Sequence, residues 1–66
     1  MIAFQVNDMT CGHCASLITR AVKGADRDAK VHVDIARHRV EIESNGANAQ
    51  EMSDAIKEAG YTPVAA

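Results

Sequence analysis

Cys11 and Cys14 are the only two cysteines of the chain, and both fall within the stretch Met9-Thr10-Cys11-Gly12-His13-Cys14, which runs into an apolar-periodic segment. Because the thiolate rather than the thiol is the nucleophile and the metal ligand, such a pair admits three chemistries: a disulfide staple, a dithiol redox couple, or a seat for a soft metal ion. A bridge across two intervening residues closes too short a loop to supply the chain-entropy stabilisation of a scaffolding disulfide. In a reducing cytosol both residues are expected as thiols. A lone free Cys is ordinarily a small buried hydrophobe, but a Cys-x-x-Cys pair in a Gly-containing loop points to metal or redox work instead.

The elements around the pair decide what it can do. Cys14, Leu17, Ile18, Ala21 and Val22 recur at spacings of three and four, with Ser16, Thr19, Arg20 and Lys23 between them, which predicts an amphipathic helix stopped at Gly24. Cys14 falls at its start and Cys11 in the preceding loop, so both sulfurs project to the same side, while Gly12 relaxes the backbone where the loop turns. A helix N-terminus offers unpaired N–H groups and a positive dipole end, which favour thiolate over thiol. Two thiolates with no further nearby Cys or carboxylate are too few for a closed structural zinc site, which takes four ligands. Soft sulfur selects Cu(I) among the first-row metals, and a two-coordinate, near-linear arrangement is expected, although the spacing alone does not exclude other soft ions. His13, inside the motif, is a candidate third ligand or a ligand to a neighbouring molecule's metal; a side chain at this spacing more often points to solvent. His32, on the polar face of a strand, and His38, in a hairpin bend, are expected to be solvated, with no spacing that links them to the cysteines.

Sixty-six residues make a single domain, which at this size buries only about 60% of its unfolded surface. Phe4 and Tyr61 are its only aromatic residues, so the core must come from Val, Ile, Leu, Ala and Met. A net charge of −2 gives no general affinity for nucleic acid or anionic lipid. No apolar run approaches the roughly 20 residues of a membrane span, and the opening "IAFQV" has no leader-like pattern, so a cytoplasmic chain is expected. Alternation predicts strands over residues 2–6, 30–35 and 39–43, the last two joined by the short bend Ala36-Arg37-His38. Asn48 is placed to cap a second helix, with Glu51 three residues on able to reach back toward the cap. Met52, Ala55, Ile56 and Ala59 are its apolar stripe and Gly60 its stop, and "YTPV" is a short closing strand whose Pro63 suits a sheet edge. The order strand, helix, strand, strand, helix, strand is expected to fold as an α+β, ferredoxin-like βαββαβ sandwich. Its four-stranded antiparallel sheet would carry both helices on one face. That fold hosts many activities, so function must come from the site.

Met9, Cys11 and Cys14 match the pattern Met-x-Cys-x-x-Cys, and Ala59-Gly60-Tyr61 lies near the end of a chain with this length and element order. In these features the sequence resembles, over essentially residues 1–66, the heavy-metal-associated domain family, in particular its free-standing bacterial copper chaperones. The resemblance implies Cu(I) held by Cys11 and Cys14 and delivered by ligand exchange to a copper-transporting P-type ATPase, through that partner's N-terminal metal-binding domain. A copper-responsive regulator is a further implied recipient. It also implies Met9 as a core anchor beneath the loop and Tyr61 as a residue near the loop that limits exposure of the site. Two positions depart from the family pattern: Asp8 stands where Gly commonly precedes the motif Met, and Thr10 stands where zinc- and cadmium-handling relatives often carry Asp, which favours copper. The expected activity is binding and transfer without turnover, by a chain that is monomeric without metal and able to form a metal-bridged dimer. The alternatives are another soft metal (Hg, Ag or Zn) or a thiol-disulfide redox protein with Cys11 as nucleophile; the latter's thioredoxin-like architecture needs a longer chain with parallel strands.

Overall fold

In the computed structural model, which describes residues 2–66, the alternating segments form strands and the periodic segments form helices. The order is β1 (Ile2–Gln5), α1 (Gly12–Ala25), β2 (Lys30–Asp34), β3 (Arg39–Glu43), α2 (Ala49–Glu58) and β4 (Val64–Ala65). The sheet runs β2-β3-β1-β4 with every neighbouring pair antiparallel. This is the ferredoxin-like arrangement expected from the alternating pattern.

Register follows from which side chains are apolar. Phe4 lies opposite Val40 and Ile2 opposite Ile42, and on the other flank Val33 and Val31 lie opposite the same two β3 residues. Phe4, Val40 and Ile42 are buried together with Ile18 and Val22 of α1 and Met52 and Ile56 of α2, so the core sits between the sheet and the helix pair. The opposite face carries polar side chains, with Lys30 opposite Glu43, His32 opposite Glu41 and Asp34 opposite Arg39 in the register of β2 and β3. A slip of one residue would bring the apolar set into solvent and break all three pairs. His32 is exposed on this face, as expected.

Four boundaries differ from the sequence expectation. α1 does not stop at Gly24 but continues to Ala25, because the Asp26 N–H still donates to the Val22 carbonyl at 3.0 Å and holds the last turn. Val6 and Ile35 flank their strands rather than belonging to them. The closing strand is only Val64–Ala65; Pro63 is buried just before it, and the strand lies at an edge as its missing N–H requires. α2 begins as anticipated, with the Asn48 side chain accepting the Glu51 N–H at 2.9 Å, and is terminated by Gly60 just beyond its C-cap Ala59, where a φ of 97° suits the residue type. Asn48→Ala should therefore lower stability by about 0.5–2 kcal/mol, read in a thermal melt as roughly 4–8 °C per kcal/mol for a domain of this size. Asn48→Asp, which keeps the acceptor, should melt close to the parent.

At the C-terminal end of α1, the Asp26 carboxylate accepts from the Ser44 hydroxyl and the Asp28 N–H, and these bonds hold it below the ordinary carboxylate range. At the other end, Gln5 pairs with both Arg39 and Val64. The end of β1, the β2–β3 bend and the segment between α2 and β4 therefore converge, and α1 starts from the same place.

Candidate metal centre

Cys11 is the N-cap residue of α1, in extended conformation at φ −152° and ψ 170°, and its carbonyl accepts the Ala15 N–H at 3.2 Å. Its side chain caps no backbone N–H, which leaves the sulfur available. Cys14 follows in the first turn, and its Sγ lies 3.3 Å from that of Cys11. Both are free thiols; Cys11 is exposed, and Cys14 is half-buried against the core. The unpaired amides of the first helical turn face this region, which is the polarity an anionic sulfur requires.

The Tyr61 hydroxyl is the main influence on Cys14. Together with the Thr10 backbone N–H and the Cys11 thiol, it donates to the sulfur and holds the Cys14 pKa down at about 7, from an ordinary 9.0. The same bond pushes Tyr61 up to about 12, because its proton is shared with a thiolate and its own ionisation would set two anions side by side. For Cys14 the folded value lies below the unfolded one. Its contribution to stability is therefore complete above pH 9 and is lost as pH falls through about 7. Tyr61→Phe should move the Cys14 pKa from about 7 back toward 9.0, slowing alkylation at neutral pH, which a pH profile of iodoacetamide modification checks.

The loop before the cysteines is held from three directions. Met9 has 0% exposure and is enclosed by the core. The Asp8 carboxylate accepts the Thr62 N–H at 3.3 Å, joining the loop to the residue after Tyr61. The β2–β3 bend reaches over with the His38 Nδ1 at 2.8 Å from the Met9 carbonyl oxygen. His38 is therefore half-buried against the loop, which corrects the expectation of a solvated bend residue. His13 is exposed on the first turn of α1.

Residues 3–62 match the heavy-metal-associated domain. The chain belongs to that family. This heavy-metal-associated domain is 35% identical over 60 residues to the copper chaperone CopZ of Enterococcus hirae, a match covering 88% of this chain and 87% of the relative. Its structure is similar to that of a gold binding protein, with a TM-score of 0.94, 32% identity and 100% of both chains covered. It is likewise similar to the copper chaperone Atx1 of Synechocystis PCC6803, with a TM-score of 0.92, 33% identity and coverage of 97% of this chain and 100% of that one.

Among the described residues of this heavy-metal-associated domain, no three His, Cys, Asp or Glu side chains gather as a metal cluster. The fold brings together the two sulfurs and Tyr61, buries the Met9 side chain in the core, and leaves His32 on the polar face of β2. The residues that sequence reasoning missed are His38 and Asp8. His38 had one indirect signal: β3 antiparallel to β1 necessarily carries the bend before β3 to the end of β1 where the loop begins. Asp8 was visible only as a departure from Gly, with nothing to name Thr62 as its partner. No helix among the described residues is long and apolar enough to cross a membrane.

Proposed function

We propose that this domain binds Cu(I) between Cys11 and Cys14 and passes it by thiolate exchange to the N-terminal metal-binding domain of a copper-transporting P-type ATPase, in the cytoplasm and without turnover. The observation that carries this is the pair of free thiols, 3.3 Å apart, on an exposed helix N-terminus. The copper-chaperone relatives point the same way. Tyr61 keeps Cys14 close to half thiolate at neutral pH, so the pair can displace its protons onto solvent as copper arrives. With metal–sulfur bonds of about 2.3 Å, the zinc–thiolate value, two sulfurs spanning an ion in line stand about 4.6 Å apart. The contact at 3.3 Å must therefore open, and Cys11, exposed and free of any capping bond, is the side that swings out. In transfer, a partner thiolate bonds the copper first, and one of the original copper–sulfur bonds then breaks, its sulfur taking up a proton. Copper keeps its oxidation state throughout.

An anaerobic Cu(I) titration against a thiol-free competitor, with X-ray absorption of the loaded form, tests the binding. One ion per chain on two sulfurs supports it, and no binding overturns it. A nitrogen shell lost on His13→Ala would make His13 a third ligand, and several ions per dimer would make the loaded form a metal-bridged dimer. Mixing loaded protein with the ATPase domain, or with a copper-responsive regulator, then asks where the copper goes. A second reading, another soft ion as cargo, is favoured by the likeness to a gold binding protein. Tighter binding of Ag or Hg than of Cu(I) by the same competition assay would support it. Sustained disulfide reduction by the metal-free protein would instead establish the redox alternative.

A further inference from the structure

His38 occupies a conformation that its residue type seldom adopts. Its φ is 54°, and among the described residues it is the one non-glycine with a positive φ. The left-handed region holds only a few per cent of non-glycine residues, although His is enriched there, and glycine would fill the position without steric cost. The backbone bonds of the bend do not require a side chain: the His38 N–H donates to Ile35 at 3.2 Å, and the His38 carbonyl accepts the Val6 N–H at 2.7 Å. Nearby, the Gln5 side chain donates to the Arg37 carbonyl at 2.9 Å, so the bend is already tied to the end of β1. What the ring adds is a single long-range bond, from Nδ1 to the Met9 carbonyl at 2.8 Å, across 29 positions of sequence. A carbonyl only accepts, so Nδ1 must carry the proton.

Met9 is two residues before Cys11. Its side chain is enclosed by the core and its N–H donates to the Val6 carbonyl at 3.2 Å. The imidazole holds the other backbone polar group of Met9, the carbonyl of the peptide that leads from the core to Thr10 and Cys11. We propose that His38 is a positioning residue for the cysteine loop: its ring latches the β2–β3 bend onto the Met9 carbonyl and fixes how the loop presents Cys11 to Cys14. This deepens the metal-site reading and rests on it for its functional meaning, while the latch itself is a property of the metal-free fold.

Two variants separate the ring from the turn. His38→Gly relieves the left-handed backbone and deletes the donor. His38→Asn tolerates the same backbone and places its side-chain Nδ2 where Nδ1 stood. In metal-free protein, His38→Gly should melt no lower than the parent. Yet the backbone order parameters of Met9, Thr10 and Cys11 should fall from about 0.85 to below about 0.6, and the Met9 amide should exchange roughly two- to tenfold faster. His38→Asn should restore both. A purely structural role in the turn predicts that the glycine variant is at least as ordered as the parent everywhere. Unchanged loop order in His38→Gly, an asparagine variant as loose as the glycine one, or a ring proton found on Nε2 alone would each overturn the latch. Wild-type protein that binds no copper would overturn the metal reading and leave the latch standing.

Discussion

Cys14→Ser should lower the apparent Cu(I) affinity by more than a hundredfold, beyond the roughly 10- to 100-fold that loss of a group merely supporting a ligand costs. The hydroxyl is close in size to the thiol but is a hard, neutral donor at every accessible pH, whereas Cys14 is held at about 7 and becomes a soft anion near neutrality. With one sulfur left, the exposed Cys11 faces an ion alone, and a competing thiol-free chelator strips it. The same assay across pH gives a second, independent mark. Affinity in the parent should climb with pH, with a partial flattening above about 7, where the Cys14 proton no longer has to be displaced by copper. In Tyr61→Phe the flattening should move upward. A Cys14→Ser protein that retains parental affinity would remove the two-sulfur site from consideration.

Met9→Ala costs the fold about 2–5 kcal/mol, the range for emptying a buried Met. A domain of 66 residues at ordinary stability per residue has only about 3–10 kcal/mol in total. Met9 has 0% exposure, so nothing in the neighbouring backbone can fill the void without pulling on the loop that carries Cys11. Chemical denaturation should therefore show a population of unfolded alanine variant even without denaturant, or a midpoint shifted far down. Met9→Leu keeps the volume and should cost less than about 1.5 kcal/mol. It should also retain parental Cu(I) affinity, because the proposed donors are the two cysteines. A leucine variant that folds but loses copper would place the Met9 thioether among the ligands.

How much could be read beforehand depended on how local the causes were. The Asn48 cap was legible because the side chain and the N–H it accepts lie three positions apart. The cysteine pair was legible for the same reason, its donors falling within one helical turn. Gly24 misled because a glycine permits a left-handed stop without requiring one, and the Asp26 N–H still reached Val22. Tyr61 was legible only through resemblance to a family; its bond to Cys14 joins residues 47 positions apart, and no periodicity links them. His38 was hidden more deeply, since its partner is a backbone carbonyl, which has the same chemistry at every residue and leaves no trace in the choice of side chain.

The antiparallel pairing of β1 with β4 sets Phe4 against Ala65, and the Ala66 N–H donates to the Ala3 carbonyl at 3.1 Å. Ile2 and Ala66 thus lie on the side of the molecule facing away from Cys11. Contacts made along that side of the sheet leave the two sulfurs uncovered.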